Sequence, residues 1–283
     1  MGRFGVEGPY GLGLSLDASS RLSGPTANGR RPLWTAVRVE GVPVRMKVRQ
    51  VSSDPPVLEV AGVPWEYGPA LRPVAEWMLF AGLSLQAFYR NVADRPVVGS
   101  VTRQLTGLKP NRPPTVFEMA VTAVTEQQIS MAAAYQIRSR LVRAYGGAPA
   151  RGPDTGNASA SHAFPTPGHL AAASLEGLQG CGLSRRKAEC IRGLARGVVD
   201  GRVDPEGWTE LSDEEARATI TEMRGFGPWS ADYILVRGLG RLNCVPASDL
   251  GVRTAWVLAS ETGPGWRPSR CERHWRLSNP TGG

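Results

Sequence analysis

Lysine and histidine are scarce in this 283-residue chain, and neither is clustered. The lysines are Lys47, Lys109 and Lys187, and the histidines are His162, His169 and His274, which lack the spacing of a zinc site. Cysteine is limited to Cys181, Cys190, Cys244 and Cys271 with no Cys-x-x-Cys pair, so neither a thiolate centre nor an oxidising compartment is indicated. No metal and no cofactor are expected. Long apolar runs are missing too: nothing approaches the roughly twenty residues that cross a bilayer, and Arg3 is followed by no apolar stretch of a secretory signal. A cytoplasmic protein without a membrane partner is the simplest expectation. Acidic residues are fewer than basic ones, 25 Asp and Glu against 33 Lys and Arg, giving a net charge of +8 and a pI near 9.8. That excess suits a polyanion bound through phosphate neutralisation and counterion release, although many basic proteins bind nothing acidic.

At this length the chain has room for two or three small domains around real cores. Residues 1–32, rich in Gly, Ser, Arg and Pro, read as a disordered leader. Residues 33–68 alternate apolar and polar positions over 34–40, 42–50 and 57–60, as in Val44-x-Met46-x-Val48. This predicts a small antiparallel β domain, punctuated by Asp54-Pro55-Pro56. From Pro69 the pattern turns helical, and 71–80, 83–91 and 97–105 form a helical connection over 69–110. Helices at 116–129 and 131–145 open a helical core over 111–258. A surface loop at 146–163 interrupts it, and helices resume at Leu170, Ser184 and Ser212. Residues 259–283 form a short tail. Strands first and helices after define an α+β chain.

Residues 211–253 concentrate the chemistry. Ser212 and Glu215 have capping-box spacing, and Ala216, Ile220 and Met223 give the helix they open an apolar face. Gly225-Phe226-Gly227 then makes a tight turn, its glycines allowing backbone angles closed to other residues so that amides face outward. Pro228 opens the next helix, where its missing N–H costs nothing. Exposed amides at such a helix start form an anion site indifferent to base sequence, though a hairpin packed only for stability has the same pattern. Asp249 follows Ser248 at the head of a third helix, twenty positions after Trp229. A helix start favours negative charge by about 0.3–1 kcal/mol, and acids also decorate helix starts without doing chemistry. Trp229 and Tyr233 share one helical face, either lining a pocket or packing as core aromatics. Arg185, Arg186 and Lys187 follow Ser184 at another helix start, as a basic patch or a solvated face.

The segment resembles the helix-hairpin-helix (HhH-GPD) glycosylase superfamily, most closely the DNA-3-methyladenine glycosylase II (AlkA-type) family. The hairpin Gly225-Phe226-Gly227-Pro228-Trp229-Ser230-Ala231-Asp232-Tyr233, followed by Pro246 and Asp249, carries the likeness. Two upstream blocks occur in the family's order: Thr115 to Glu118 with Glu126-Gln127-Gln128-Ile129-Ser130, then Phe164-Pro165-Thr166-Pro167 with Lys187-Ala188. The resemblance implies a small antiparallel β domain and two helical subdomains around a cleft. It implies a glycosylase that flips alkylated purines out of duplex DNA and hydrolyses their N-glycosidic bonds, acting as a monomer. Gly225, Phe226 and Gly227 would grip a phosphate, Trp229 and Tyr233 would line the base pocket, and Gln128, or Ile129, would wedge into the vacated stack.

Asp249 is the candidate catalytic residue. Cleaving an N-glycosidic bond builds positive charge on the sugar, which a nearby carboxylate stabilises, directly or through an oriented water. Relatives that also cut the strand carry a Schiff-base lysine where this chain has Trp229, so simple hydrolysis without strand cleavage is expected. An alkylated purine is cationic, and aromatic faces attract cations by about 0.5–2 kcal/mol. The iron–sulfur cluster of some relatives is not expected, because only Cys271 falls in the region that would hold it. The ending departs from the family: Trp275 comes early after Trp266-Arg267-Pro268. Two other readings remain open, a non-catalytic DNA-binding protein and a glycosylase for deaminated or oxidised bases.

Overall fold

The computed structural model describes residues 2–16, 32–63, 65–149 and 162–254. Four antiparallel strands form one sheet in the order β1-β4-β3-β2: β1 (Gly2–Gly5), β2 (Leu33–Val39), β3 (Val42–Ser53) and β4 (Pro56–Val63). Alternation sends Val37, Val39, Val44, Met46, Val48, Leu58 and Val60 to one buried face. Helix α1 (Gly68–Met78) covers that face with Leu71, Ala75 and Met78, one helical stripe.

The disordered leader expected over 1–32 is corrected for residues 2–16. Strand β1 pairs from Gly2↔Val60 to Gly5↔Val57, and Phe4, Val6, Tyr10, Leu12 and Leu16 are buried in the sheet's core. Composition misled because an edge of β4 stands ready to pair, and a few apolar residues suffice to dock a strand there. Lys109 anchors the segment. Its fully buried ammonium donates to the carbonyls of Glu7 (2.8 Å) and Phe80 (3.2 Å), and its amide donates to Ser15 Oγ (3.0 Å). The rest of the expected leader, 17–31, lies outside the described residues.

Helices α2 (Gln86–Val92) and α3 (Pro96–Gln104) lead to the helical core. Its axis is α4 (Val116–Glu126), buried on nearly every side, which is why its sequence is apolar almost all round. Thr115 caps it by accepting from the Glu118 amide. The helix expected to reach 129 stops at Glu126, because Gln127 turns extended and Gln128 takes a positive φ of 54°. Around it stand α5 (Met131–Tyr145), α6 (Pro167–Ala172), α7 (Leu175–Gly180) and α8 (Arg185–Val199). Ser130, Thr166, Ser174 and Ser184 supply their N-caps. Helices α9 (Asp213–Glu222) and α10 (Pro228–Ile234) complete the core, α10 running on through a π turn at Leu235–Leu239. The capping box at Ser212 and Glu215 is formed.

Arg112 joins the two cores. Its guanidinium lies between the rings of Trp77 (3.7 Å) and Phe80 (3.9 Å) and donates to the carbonyls of Trp77 and Leu239. Among the described residues, no helix is long and apolar enough to cross a membrane. The chain is α+β as expected. The 259–283 tail, with Trp266, Cys271, His274 and Trp275, lies outside the described residues.

Candidate active site

The hairpin sits between α9 and α10. Gly225 has a φ of +93°, and a Cβ there would lie 2.7 Å from Cys190 Sγ on α8, so both backbone angle and space require glycine. Gly227 differs: it is extended (φ −101°, ψ −178°) and a Cβ would meet nothing within 4 Å. The expectation that both glycines adopt closed backbone angles therefore holds at Gly225 and is corrected at Gly227, where the turn has already been completed. Phe226 is also not presented outward. Its side chain is buried in the helical core and its amide donates to the Met223 carbonyl (3.1 Å), so it anchors the turn from below. Among the described residues the amides of Gly225 and Gly227 find no acceptor, leaving these donors at the start of α10 open.

Trp229 and Tyr233, one turn apart on α10, stack with centroids 4.9 Å apart and planes inclined by 17°. The Trp229 indole N–H donates to Asp249 Oδ2 at 2.9 Å. The other carboxylate oxygen, Oδ1, accepts from the Val252 amide at 3.0 Å, and the Asp249 carbonyl accepts from the Arg253 amide. Asp249 is thus the N-cap of the helix that begins after it, with each oxygen fixed by a donor from a different element. Each oxygen keeps lone-pair capacity for a further partner.

At the far end of the stack the Tyr233 hydroxyl donates to Glu126 Oε2 at 2.8 Å, and Arg138 donates to Glu126 Oε1 at 2.8 Å. Burial, and next the adjacent Glu126 charge, push the Tyr233 phenol well above its ordinary range, so it remains a donor. Glu126 and Arg138 belong to the arrangement, yet sequence reasoning gave neither a role. The available signal was a charged residue closing a largely apolar helix.

Two further side chains tie the hairpin to the turn that ends α4. Gln127 donates to the Gly225 carbonyl (2.9 Å) and to Ser230 Oγ (2.9 Å). Lys187 donates to the carbonyls of Thr125 (2.9 Å) and Gln127 (2.7 Å), capping the C-terminal end of α4. Burial lowers its ammonium's pKa, while Glu126 opposes the shift. Lys187 is therefore no part of a solvent-facing basic patch, whereas Arg185 and Arg186 are exposed. Gln128 and Ile129 project on the exposed turn beside the hairpin. Among the described residues, no group of three or more His, Cys, Asp or Glu could hold a metal ion.

The paired helices, the glycine turn and an acid heading the next helix define a helix-hairpin-helix arrangement. Residues 121–259, just under half of the chain, match the model of the HhH-GPD superfamily base excision DNA repair protein. Over 188 residues it is 27% identical to the DNA-3-methyladenine glycosylase of Bacillus subtilis, covering 66% of this chain and 60% of that enzyme. Over 159 residues it is 28% identical to DNA-3-methyladenine glycosylase 2 of Escherichia coli, covering 56% of this chain and 51% of that one. The match thus spans between half and two thirds of each relative's length. In three dimensions the chain superposes on the 3-methyladenine DNA-glycosylase of Archaeoglobus fulgidus with a TM-score of 0.79 and 24% identity, covering 98% of this chain and 92% of that one. That likeness establishes the shared fold.

Proposed function

We propose that this protein is a monofunctional DNA glycosylase that flips alkylated purines of the 3-methyladenine and 7-methylguanine type out of duplex DNA and hydrolyses their N-glycosidic bonds in base excision repair. The observation that carries the reading is the 2.9 Å hydrogen bond from Trp229 to Asp249, which joins a stacked aromatic wall to a fixed carboxylate on one hairpin. The open amides of Gly225 and Gly227 bind a phosphate beside the lesion and carry no base information. The turn at Gln128 and Ile129, tied to the hairpin through Gln127, fills the space the flipped base leaves. The aromatic wall receives the cationic base, and Asp249 stabilises the cationic sugar as the bond breaks, or orients the attacking water.

Hydrolysis without strand cleavage follows from where the lysines are. Lys47 lies in the sheet over the Trp34 ring, Lys109 is buried against two carbonyls, and Lys187 caps α4. None stands on the hairpin, where this chain has Trp229 in place of a Schiff-base lysine. The protein acts as a monomer on DNA in the cytoplasm.

Base release from methylated duplex DNA by the purified protein, followed by chromatography, tests the reading. Free alkylated purines are expected, with abasic sites that break only in alkali or heat and no borohydride-trapped protein–DNA adduct. Asp249→Asn should keep DNA affinity and lower single-turnover release at least about a hundredfold, since losing a charge at a cationic transition state commonly costs several kcal/mol. DNA binding with no base released would favour a non-catalytic DNA-binding protein. Release of only deaminated or oxidised bases would change the lesion class. A trapped adduct would overturn simple hydrolysis.

A further inference from the structure

Glu126 is the last residue of α4, and only 2% of its side chain is exposed. Withdrawing a carboxylate from water is unfavourable, and an ion pair buried this way is often no more stabilising than well-packed apolar side chains. Apart from Glu118 the preceding residues of α4 are apolar or small, and an apolar pair in place of Glu126 and Arg138 would pack as well. Stability alone therefore does not account for the acid. Its partners are specific: Arg138 takes Oε1 and the Tyr233 hydroxyl donates to Oε2, both at 2.8 Å.

Both polar ends of the aromatic stack finish on carboxylates. The phenol of Tyr233 donates to Glu126, and the indole of Trp229 donates to Asp249. A hydrogen bond to a charged acceptor is roughly twice as strong as one to a neutral acceptor and draws the proton outward. Electron density on the phenol oxygen rises, and with it the negative potential of the ring face. Cations are attracted to aromatic faces by that potential.

We propose that Glu126 is a specificity-determining, positioning residue: by accepting the Tyr233 hydroxyl it orients the ring and enriches its π face, so that the pocket favours positively charged bases over neutral ones. The ligand class is a cationic purine, and the proposal rests on the reading of this site as a base pocket. Glu126 touches no substrate and acts through Tyr233. No proton is transferred, and a neutral acceptor would orient the ring equally well without enriching it.

The test uses the full chain as wild type, Glu126→Gln and Tyr233→Phe. Single-turnover release of 7-methylguanine, a cation in duplex DNA, is compared with release of hypoxanthine, a neutral purine, from the same sequence. The cation-to-neutral rate ratio should fall about fivefold in both variants, whatever the change in the absolute rates. In protein labelled with carbon-13 at tyrosine Cζ, the signal that Tyr233→Phe deletes should move upfield in Glu126→Gln. An unchanged ratio, an equal fall for both bases, or an unmoved Cζ signal would overturn the proposal. Should Glu126→Gln fail to fold, Tyr233→Phe decides, because it leaves the Glu126–Arg138 pair intact. If the wild type releases neither base, the glycosylase reading falls on its own. Preferential binding of free 7-methylguanosine over guanosine by the wild type, reduced in Tyr233→Phe, still decides this inference, and equal binding overturns it.

Discussion

At the scale of single residues, the hairpin's two glycines do different work. Gly225 combines a positive φ with close approach to Cys190, and Cys190 in turn donates its thiol to the Arg224 carbonyl at 3.3 Å. Gly225→Ala should therefore destabilise the protein by about 1–3 kcal/mol, through backbone strain and the push against α8. Affinity for damaged and undamaged DNA should fall together, because the open amides would turn. Gly227→Ala meets no neighbour and needs no unusual backbone angle, so stability should stay within about 0.5 kcal/mol of wild type. Thermal melts and DNA titrations of the two variants check this; equal losses would show that the turn's demands are misassigned. The same scale exposes a limit of pattern reading. The Gly-x-Gly spacing is visible in the sequence, but which glycine is obligatory depends on Cys190, 35 positions away in the chain.

At the scale of elements, the hairpin, the end of α4 and the start of α8 form one cross-braced unit. Lys187 and its neighbour Arg186 follow Ser184 in the same helical turn, yet their side chains serve opposite purposes. The ammonium of Lys187 is spent on the Thr125 and Gln127 carbonyls, while Arg185 and Arg186 remain exposed near the hairpin's supporting helix. Lys187→Met should cost about 1–3 kcal/mol of stability, since two partly buried carbonyls lose a charged donor. It should leave the salt dependence of DNA binding unchanged. Arg186→Ala should do the reverse, with stability near wild type and the slope of log K against log salt reduced by about one. Denaturant titrations and DNA binding over a salt series separate the two; a reduced slope in Lys187→Met would place that ammonium on the phosphates instead.

At the scale of the whole molecule, the sheet and the helical core meet at a small cavity lined by Thr35 and Ala36 of β2, Glu118 of α4, Arg138 of α5, and His162 and Phe164. Burial pushes the Glu118 carboxyl up to about 7 from an ordinary 4.5, and Arg138 opposes the shift. Between those values the folded protein holds a proton that the unfolded chain releases. The stabilisation from this group is therefore complete below about 4.5 and is lost as the pH rises through about 7. Glu118→Gln should remove that dependence. Melting temperature measured across the window should decline with rising pH more steeply in wild type than in the variant, and parallel curves would mean that Glu118 is solvated and unshifted. The seam also carries Arg112, set against Trp77 and Phe80 while donating to the Leu239 carbonyl, so the element that leads out of α10 is tied to the end of α1, the helix that covers the sheet.

The sequence by itself determined what depends on short spacing. Strand alternation over β2 to β4, the capping serines, the helix start at Pro228, the shared face of Trp229 and Tyr233, and Asp249 at a helix head follow from period and local chemistry. Tertiary structure alone decided what depends on which distant surfaces meet. Residues 2–16 look like a leader until β4 offers an edge and Lys109 supplies donors to their carbonyls. Phe226 looks presentable until the core beneath the hairpin takes its ring, and Lys187 looks solvated until α4 ends against it. Glu126 is ordinary in one dimension and becomes part of the site only when Tyr233, 107 residues later, is brought to its oxygen. Periodicity is written in neighbouring residues; the satisfaction of a buried charge or an unpaired carbonyl is settled by residues that only folding brings near.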